Sequence, residues 1–90
     1  MYRRSVTLTR EAGLHVRPAT LFMDAAKRFH STVRVHKDGQ TADGKSAISL
    51  MLLEAGRGAE LHVEADGADE VAAVTALVDL VESGFGEAGP

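Results

Sequence analysis

Apolar and polar residues alternate along three stretches of the chain, and each alternation predicts a strand. Tyr2, Arg4, Val6 and Leu8 share one side of the first, with Arg3, Ser5 and Thr7 on the other. In the second, Val33 and Val35 alternate with Thr32, Arg34 and His36; in the last, Leu61, Val63 and Ala65 alternate with Glu60, His62 and Glu64. A period of two buries one face and wets the other, which suits an antiparallel sheet covered on one side only. Asp38-Gly39 is a hairpin signal, and it makes Gln40 to Asp43 a short, weak strand.

Helical spacing fills the gaps. Ala19, Phe22, Met23 and Ala26 recur at i, i+3, i+4 and i+7, the stripe of an amphipathic helix. The first helix is assigned to Thr20 to Phe29, with Phe29 extending the buried stripe. A second, short helix begins at Ser46, a favourable N-cap, runs through Ile48, Leu50, Met51, Leu52 and Leu53, and ends before Gly56 and Gly58. Its apolar residues are too many for one buried face, so either Ala47 and Met51, or Ile48 and Leu52, face solvent or a partner. A third helix starts near Asp69-Glu70, where two acids suit the dipole, and carries Val74, Leu77, Val78 and Val81 inward. Gly84 stops it, and Phe85 to Pro90 reads as a mobile tail. The order β-α-β-β-α-β-α predicts an α+β fold: a four-stranded antiparallel sheet with three helices on one face. No internal repeat or linker interrupts it, so residues 1–90 read as one domain.

Composition narrows the classes. Ninety residues allow one core of modest stability. The absence of cysteine excludes a disulfide framework and a thiolate metal site, and fits a reducing cytosol. No apolar run nears the roughly 20 residues needed to cross a bilayer, and no signal-peptide pattern opens the chain, so a cytoplasmic location is expected. A net charge of −3 argues against a general nucleic-acid binder. The charge is uneven, however. Arg3, Arg4, Arg10, Arg17, Lys27, Arg28, Arg34 and Lys37 lie in the first half, and the acids concentrate in the second, so one face suits an acidic partner.

The segment Gly13-Leu14-His15-Val16-Arg17-Pro18-Ala19 carries the candidate chemistry. It places a histidine just before a helix, with an arginine and a proline in the opening turn. Proline is tolerated there because first-turn amides have no intrahelical partner. Those amides carry the positive end of the helix dipole and make an anion site. With an imidazole and a guanidinium added, phosphate can be held covalently on His15 and still be stabilised. The plainer reading is that His15 caps or flanks a helix, and spacing alone does not separate the two.

This segment resembles the active-site signature of the HPr family, the histidine phosphocarriers of the bacterial sugar phosphotransferase system. Gly44-Lys45-Ser46-Ala47-Ile48, leading into Met51-Leu52 and Gly56-Arg57-Gly58, resembles the family's regulatory serine segment and the short helix after it. Asp66-Gly67-Ala68-Asp69-Glu70 is similar to the family's last turn before its C-terminal helix. The resemblance covers nearly the whole chain without an insertion, and two motifs about thirty residues apart are more specific than either alone. It implies the family's open-faced β-sandwich.

The resemblance also implies roles. His15 takes a phosphoryl group through Nδ1 from enzyme I, itself charged by phosphoenolpyruvate, and passes it to enzyme IIA components; the chain is a carrier rather than an enzyme. Val16 and Arg17 supply amides to the phosphate, Arg17 adds its guanidinium, and Pro18 fixes the turn. Ser46 is a helix cap and, in the family's terms, a target of HPr kinase/phosphorylase. Docking falls to Thr20, Leu21, Asp24 and Lys27 on the first helix and, by analogy, to Ala47, Ile48 and Met51 on the second, with Arg17, Lys27 and Arg57 as a basic rim. No cofactor, metal, nucleic acid or membrane insertion is implied, and a monomer suits a carrier that shows His15 to several partners.

His30, His36 and His62 have no zinc spacing and read as solvated surface residues. Three positions depart from the family pattern: Val16 is bulkier than the usual alanine, Ala12 offers His15 no side-chain hydrogen bond, and Ala47 is small for the site after the serine. Two other readings stand. One is a nitrogen-branch carrier (NPr-like), which Leu50-Met51-Leu52-Leu53 and Ser83-Gly84-Phe85 resemble. The other is an RNA-binding module, opposed by a wet sheet face without stacking aromatics.

Overall fold

The computed structural model describes residues 1–9 and 14–85. The elements run β1 (Tyr2–Thr7), α1 (Val16–Ala26), β2 (Thr32–Lys37), β3 (Gln40–Asp43), α2 (Ala47–Leu52), β4 (Glu60–Asp66) and α3 (Glu70–Glu82). The four strands form one sheet in the order β1-β4-β2-β3, every pair antiparallel. Asp38 and Gly39, with φ of 48° and 82°, close the β2–β3 hairpin in the left-handed geometry that a two-residue loop requires. The alternation is realised as predicted: Val6, Val33, Val35, Leu61, Val63 and Ala65 are buried beneath the helices. From α3 come Ala73, Val74, Leu77, Val78 and Val81, and from α1 Ala19, Phe22 and Ala26.

Helix limits differ from the sequence reading in two places. α1 starts at Val16 rather than Thr20, because Pro18 in the first turn needs no amide acceptor and the helix can open ahead of it. It ends at Ala26, where Arg28 and Phe29 turn back to the carbonyls of Ala25 and Ala26 at 3.2 and 3.1 Å, three residues earlier. Phe29 therefore packs on the core from the turn after the helix, and Met23, expected in the stripe, is only half-buried. At the other end, Phe85 does not begin a mobile tail. The amide of Gly84 bonds Val81 O at 3.0 Å and that of Phe85 bonds Leu80 O at 2.8 Å, a Schellman closure with φ of 71° at Gly84. It returns the Phe85 ring to the core at 3% exposure. The rest of that tail, 86–90, lies outside the described residues, as do Arg10, Ala12 and Gly13.

The uncovered sheet face holds one residue that does not fit a wet position. Glu64 is buried at 6% exposure. Side chains from both neighbouring strands cover it: His36 Nε2 lies 2.9 Å, Arg34 3.5 Å and Arg3 3.9 Å from its carboxylate. Both arginines are its direct partners in register. Isolated alternation cannot reveal a carboxylate paired across two strands.

Asp69 ties the turn after α1 to the start of α3. Its carboxylate accepts from the amides of His30 and Ser31 at 2.8 and 2.9 Å and from the Ser31 hydroxyl. Asp69 stands at the N-cap of α3 without capping it; Glu70 serves the dipole in the first turn. The Ser31 hydroxyl and then the His30 amide hold the Asp69 carboxyl down at about 2, from an ordinary 3.8. The unfolded chain thus binds this proton more readily, and folding stability rises with pH through that window. We expect the Asp69 contribution to be complete above about pH 4 and to fade as pH falls to about 2. Denaturant titrations of wild type and Asp69→Asn across that range check this. The two proteins should converge at the acid end, and a constant gap between them would contradict the assignment.

Candidate functional site

His15 stands at the N-cap of α1 with extended backbone (φ −96°, ψ −163°), and its imidazole makes no capping hydrogen bond. The side chain is exposed. The residue flanks the helix at its N-cap, but the ring is not spent on the helix end. Its neighbour anchors it instead. Leu14 is buried at 5%, and its amide donates to Ala55 O at 2.9 Å, so the backbone before His15 is pinned to the segment after α2.

The first turn of α1 presents groups of the kind that suit an anion. Ala19 is the first residue whose amide bonds back, to His15 O at 3.0 Å, and Pro18 has no N–H. The amides of Val16 and Arg17 precede the intrahelical ladder at the positive end of the dipole. Pro18 is buried and fixes the turn, while Arg17 is exposed beside it. Thr20, half-buried, donates its hydroxyl to Val16 O at 2.8 Å and closes the same turn. An exposed imidazole, two first-turn amides and a guanidinium thus collect within three residues. That set can form a bond to phosphorus and bear the charge on the phosphoryl oxygens.

α2 packs on α1 and begins at Ser46, whose Oγ accepts from the Ser49 amide at 3.2 Å. The cap predicted from the sequence is present. Gly44, two residues earlier, has a close-approach role: a Cβ there would lie 2.4 Å from Val33 Cγ1, and its amide bonds Val33 O at 2.8 Å.

The facing of α2 corrects the sequence reading. Ile48 and Leu52 point outward, at 70% and 71% exposure, whereas Ala47 and Met51 are half-buried against the core. Helix geometry explains the choice: Ala47, Leu50 and Met51 lie at i, i+3 and i+4 on the face turned to the core, and Leu50 is fully buried. Leu21, expected as an exposed contact, is half-buried on the core too. Asp24, Lys27 and Arg57 are exposed as expected. Val16, at 65%, adds an apolar side chain directly after His15. Leu52, offered by the alternative facing of α2, and Val16 are exposed apolar residues outside the expected docking set. The i+4 spacing from Ile48 was the available signal for the first.

The other histidines stay away from this chemistry. His36 bonds Glu64 and Thr41, His62 lies 3.5 Å from Glu60, and His30 is exposed in the turn after α1. Among the described residues no group of three or more potential metal ligands forms, and no helix is long and apolar enough to cross a membrane.

Comparison with known proteins gives a concordant result. The family model "PTS HPr component phosphorylation site" matches residues 2–83. The phosphocarrier protein HPr of Neisseria meningitidis is 40% identical over 97% of this chain and 98% of its own length. The phosphocarrier protein NPr of Proteus mirabilis is 38% identical, covering 96% of each. Among solved structures, HPr from Thermoanaerobacter tengcongensis superposes with a TM-score of 0.93 at 39% identity, over 99% of this chain and 100% of that one.

Proposed function

The chain belongs to the HPr family of the bacterial phosphotransferase system, and from that membership we propose that His15 receives a phosphoryl group from phospho-enzyme I and delivers it to an enzyme IIA component. The observation that carries this reading is the exposed imidazole at the mouth of α1, which makes no capping hydrogen bond. In the transfer, a lone pair on Nδ1 forms the N–P bond as the donor's bond to phosphorus breaks, and the departing electron pair stays with the donor. Charge spreads over three phosphoryl oxygens meanwhile, so catalysis is positioning and electrostatics. The amides of Val16 and Arg17 and the Arg17 guanidinium lie where that charge develops. Histidine is the side chain whose unperturbed titration lies nearest neutral pH, which suits it to this nucleophilic role. The chain supplies one half of the transfer and turns nothing over alone, so it is a carrier and not an enzyme.

Val16, Ile48 and Leu52 form the apolar part of the docking surface, with Arg17, Lys27 and Arg57 as its basic rim. Exposed apolar groups of this kind on two packed helices mark an interaction site. A rim of one sign favours fast, brief association with acidic partners. Titrating labelled protein with enzyme I should shift the amides of α1 and α2 most. Shifts centred on the open sheet face, around Arg34 and His62, would contradict this surface.

Ser46 is a helix cap first, and regulation at this position adds to that role. A phosphate there brings up to about two negative charges to the start of the docking helix and repels an acidic partner. Ser46→Asp is expected to slow acceptance from enzyme I about tenfold while the helix persists, since aspartate also caps. Unchanged transfer would count against a switch.

The second reading is the nitrogen branch, favoured by the NPr relative, whose identity is within two points of that of the HPr relative (40% against 38%). Presenting the protein to a sugar-type and a nitrogen-type enzyme I, each charged with phosphoenolpyruvate, separates them. Faster uptake from the sugar type supports the proposal, faster uptake from the nitrogen type supports the alternative, and uptake from neither overturns both.

A further inference from the structure

α2 has six residues, far below the length at which a helix holds together unaided, so its position is set by what grips its ends. The Ser46 cap serves the start. Just before it, Lys45 Nζ donates to Phe29 O at 2.8 Å and ties the entry of the helix to the turn after α1. The far end has no basic residue in its own last turn. A lysine from the sheet fills that place: Lys37, at the end of β2, donates from Nζ to Leu53 O at 3.1 Å. Its side chain is only 20% exposed, and Asp38, 3.7 Å away, is a largely solvated carboxylate. The ammonium is thus committed mainly to the carbonyl end of α2, where the helix dipole is negative.

The chain then runs directly to the phosphoryl site. Two residues after Leu53, Ala55 O accepts from the amide of Leu14, the residue before His15. Lys37 grips one end of the 53–55 segment, and the backbone of the His15 loop grips the other. The exposed pair Ile48 and Leu52 rides on the helix between these fixed points and Ser46.

We propose that Lys37 is a positioning residue for phosphoryl transfer: its ammonium on the terminal carbonyl of α2 sets the placement of Ile48 and Leu52 relative to His15, and so how well a phosphate donor docks. This rests on the docking reading above and adds a residue that reading does not contain. Lys37 touches neither phosphate nor partner; it acts through the helix.

The test compares Lys37→Met, which removes charge and donor, with Lys37→Arg, which keeps both. The readouts are amide hydrogen exchange in the free protein and steady-state phosphorylation by enzyme I. In Lys37→Met the α2 amides should exchange about fivefold faster while those of β4 keep their rates, and KM for the carrier should rise by a similar factor with kcat unchanged. The salt dependence of KM should stay as in wild type, and Lys37→Arg should restore both quantities. Unchanged exchange in α2 would overturn the proposal, whether or not KM rises, because a raised KM alone makes Lys37 a charge that the donor contacts directly. If Lys37→Met unfolds, faster α2 exchange in Lys37→Gln must stand in its place, and its absence overturns the proposal equally. Failure of the unaltered protein to take up phosphate is a different result: it removes the carrier reading itself.

Discussion

His15→Ala is expected to abolish phosphoryl acceptance and to leave the fold intact. The side chain is exposed and makes no capping bond, so its removal should change stability by no more than about 0.5 kcal/mol. The chemistry, by contrast, has no substitute. Loss of the nucleophile removes the atom to which phosphorus bonds, and the effect is total rather than graded. His30, His36 and His62 remain in the variant as internal controls, two of them engaged with Thr41 and with carboxylates on the open sheet face. Incubation of the variant with labelled phospho-enzyme I, followed by gel autoradiography at neutral pH, reads this out. Label on the variant would mean that one of those histidines, and not His15, is the acceptor.

Arg17→Ala should keep the fold and still accept phosphate, only more slowly, by about a hundredfold. The magnitude is that of removing one preorganised charged donor from the place where negative charge develops. The amides of Val16 and Arg17 survive the substitution, which is why the loss is partial. Arg17→Lys should fall between the two, since an ammonium restores charge but not the planar fork that meets two phosphoryl oxygens together. Rapid-quench rates at fixed phospho-enzyme I give the comparison. A rate for Arg17→Ala close to wild type would leave the helix amides as sufficient and remove the guanidinium from the mechanism.

Where local patterning decides, the sequence is legible. The three alternating strands and the hairpin at Asp38-Gly39 follow from period and turn chemistry, and the inward residues of α3 follow from their 3.6-residue spacing. The N-cap at Ser46 is equally local, because a serine ahead of an apolar run needs no distant partner to cap it. What escaped depends on contacts that no single segment contains. Glu64 reads as wet until Arg3 and Arg34 are placed opposite it on two other strands. Phe85 reads as tail because Gly84 ends a helix, yet the same glycine turns the chain so that the ring folds back. α2 is nearly all apolar, so its pattern cannot name its outer face; packing on α1 and the core chose Ile48 and Leu52.

The site divides in the same way. The residue types around His15 suit an anion site with a nucleophile as well as a helix cap, and only the family resemblance points to phosphate chemistry. That the imidazole makes no capping hydrogen bond and stands exposed is a structural fact, invisible in spacing. So is the anchoring of Leu14 on Ala55, which connects the histidine loop to the end of α2 and, through Leu53, to Lys37.

The central claim is that His15 carries phosphate on Nδ1. Intact-mass measurement with 31P NMR, after mixing the protein with phosphoenolpyruvate and a catalytic amount of enzyme I, tests it most directly. One acid-labile phosphoryl group per chain, resonating as the Nδ1 phosphoramidate and missing from His15→Ala, is the predicted result. No mass gain with either type of enzyme I, or a phosphoryl group that survives acid, would contradict it.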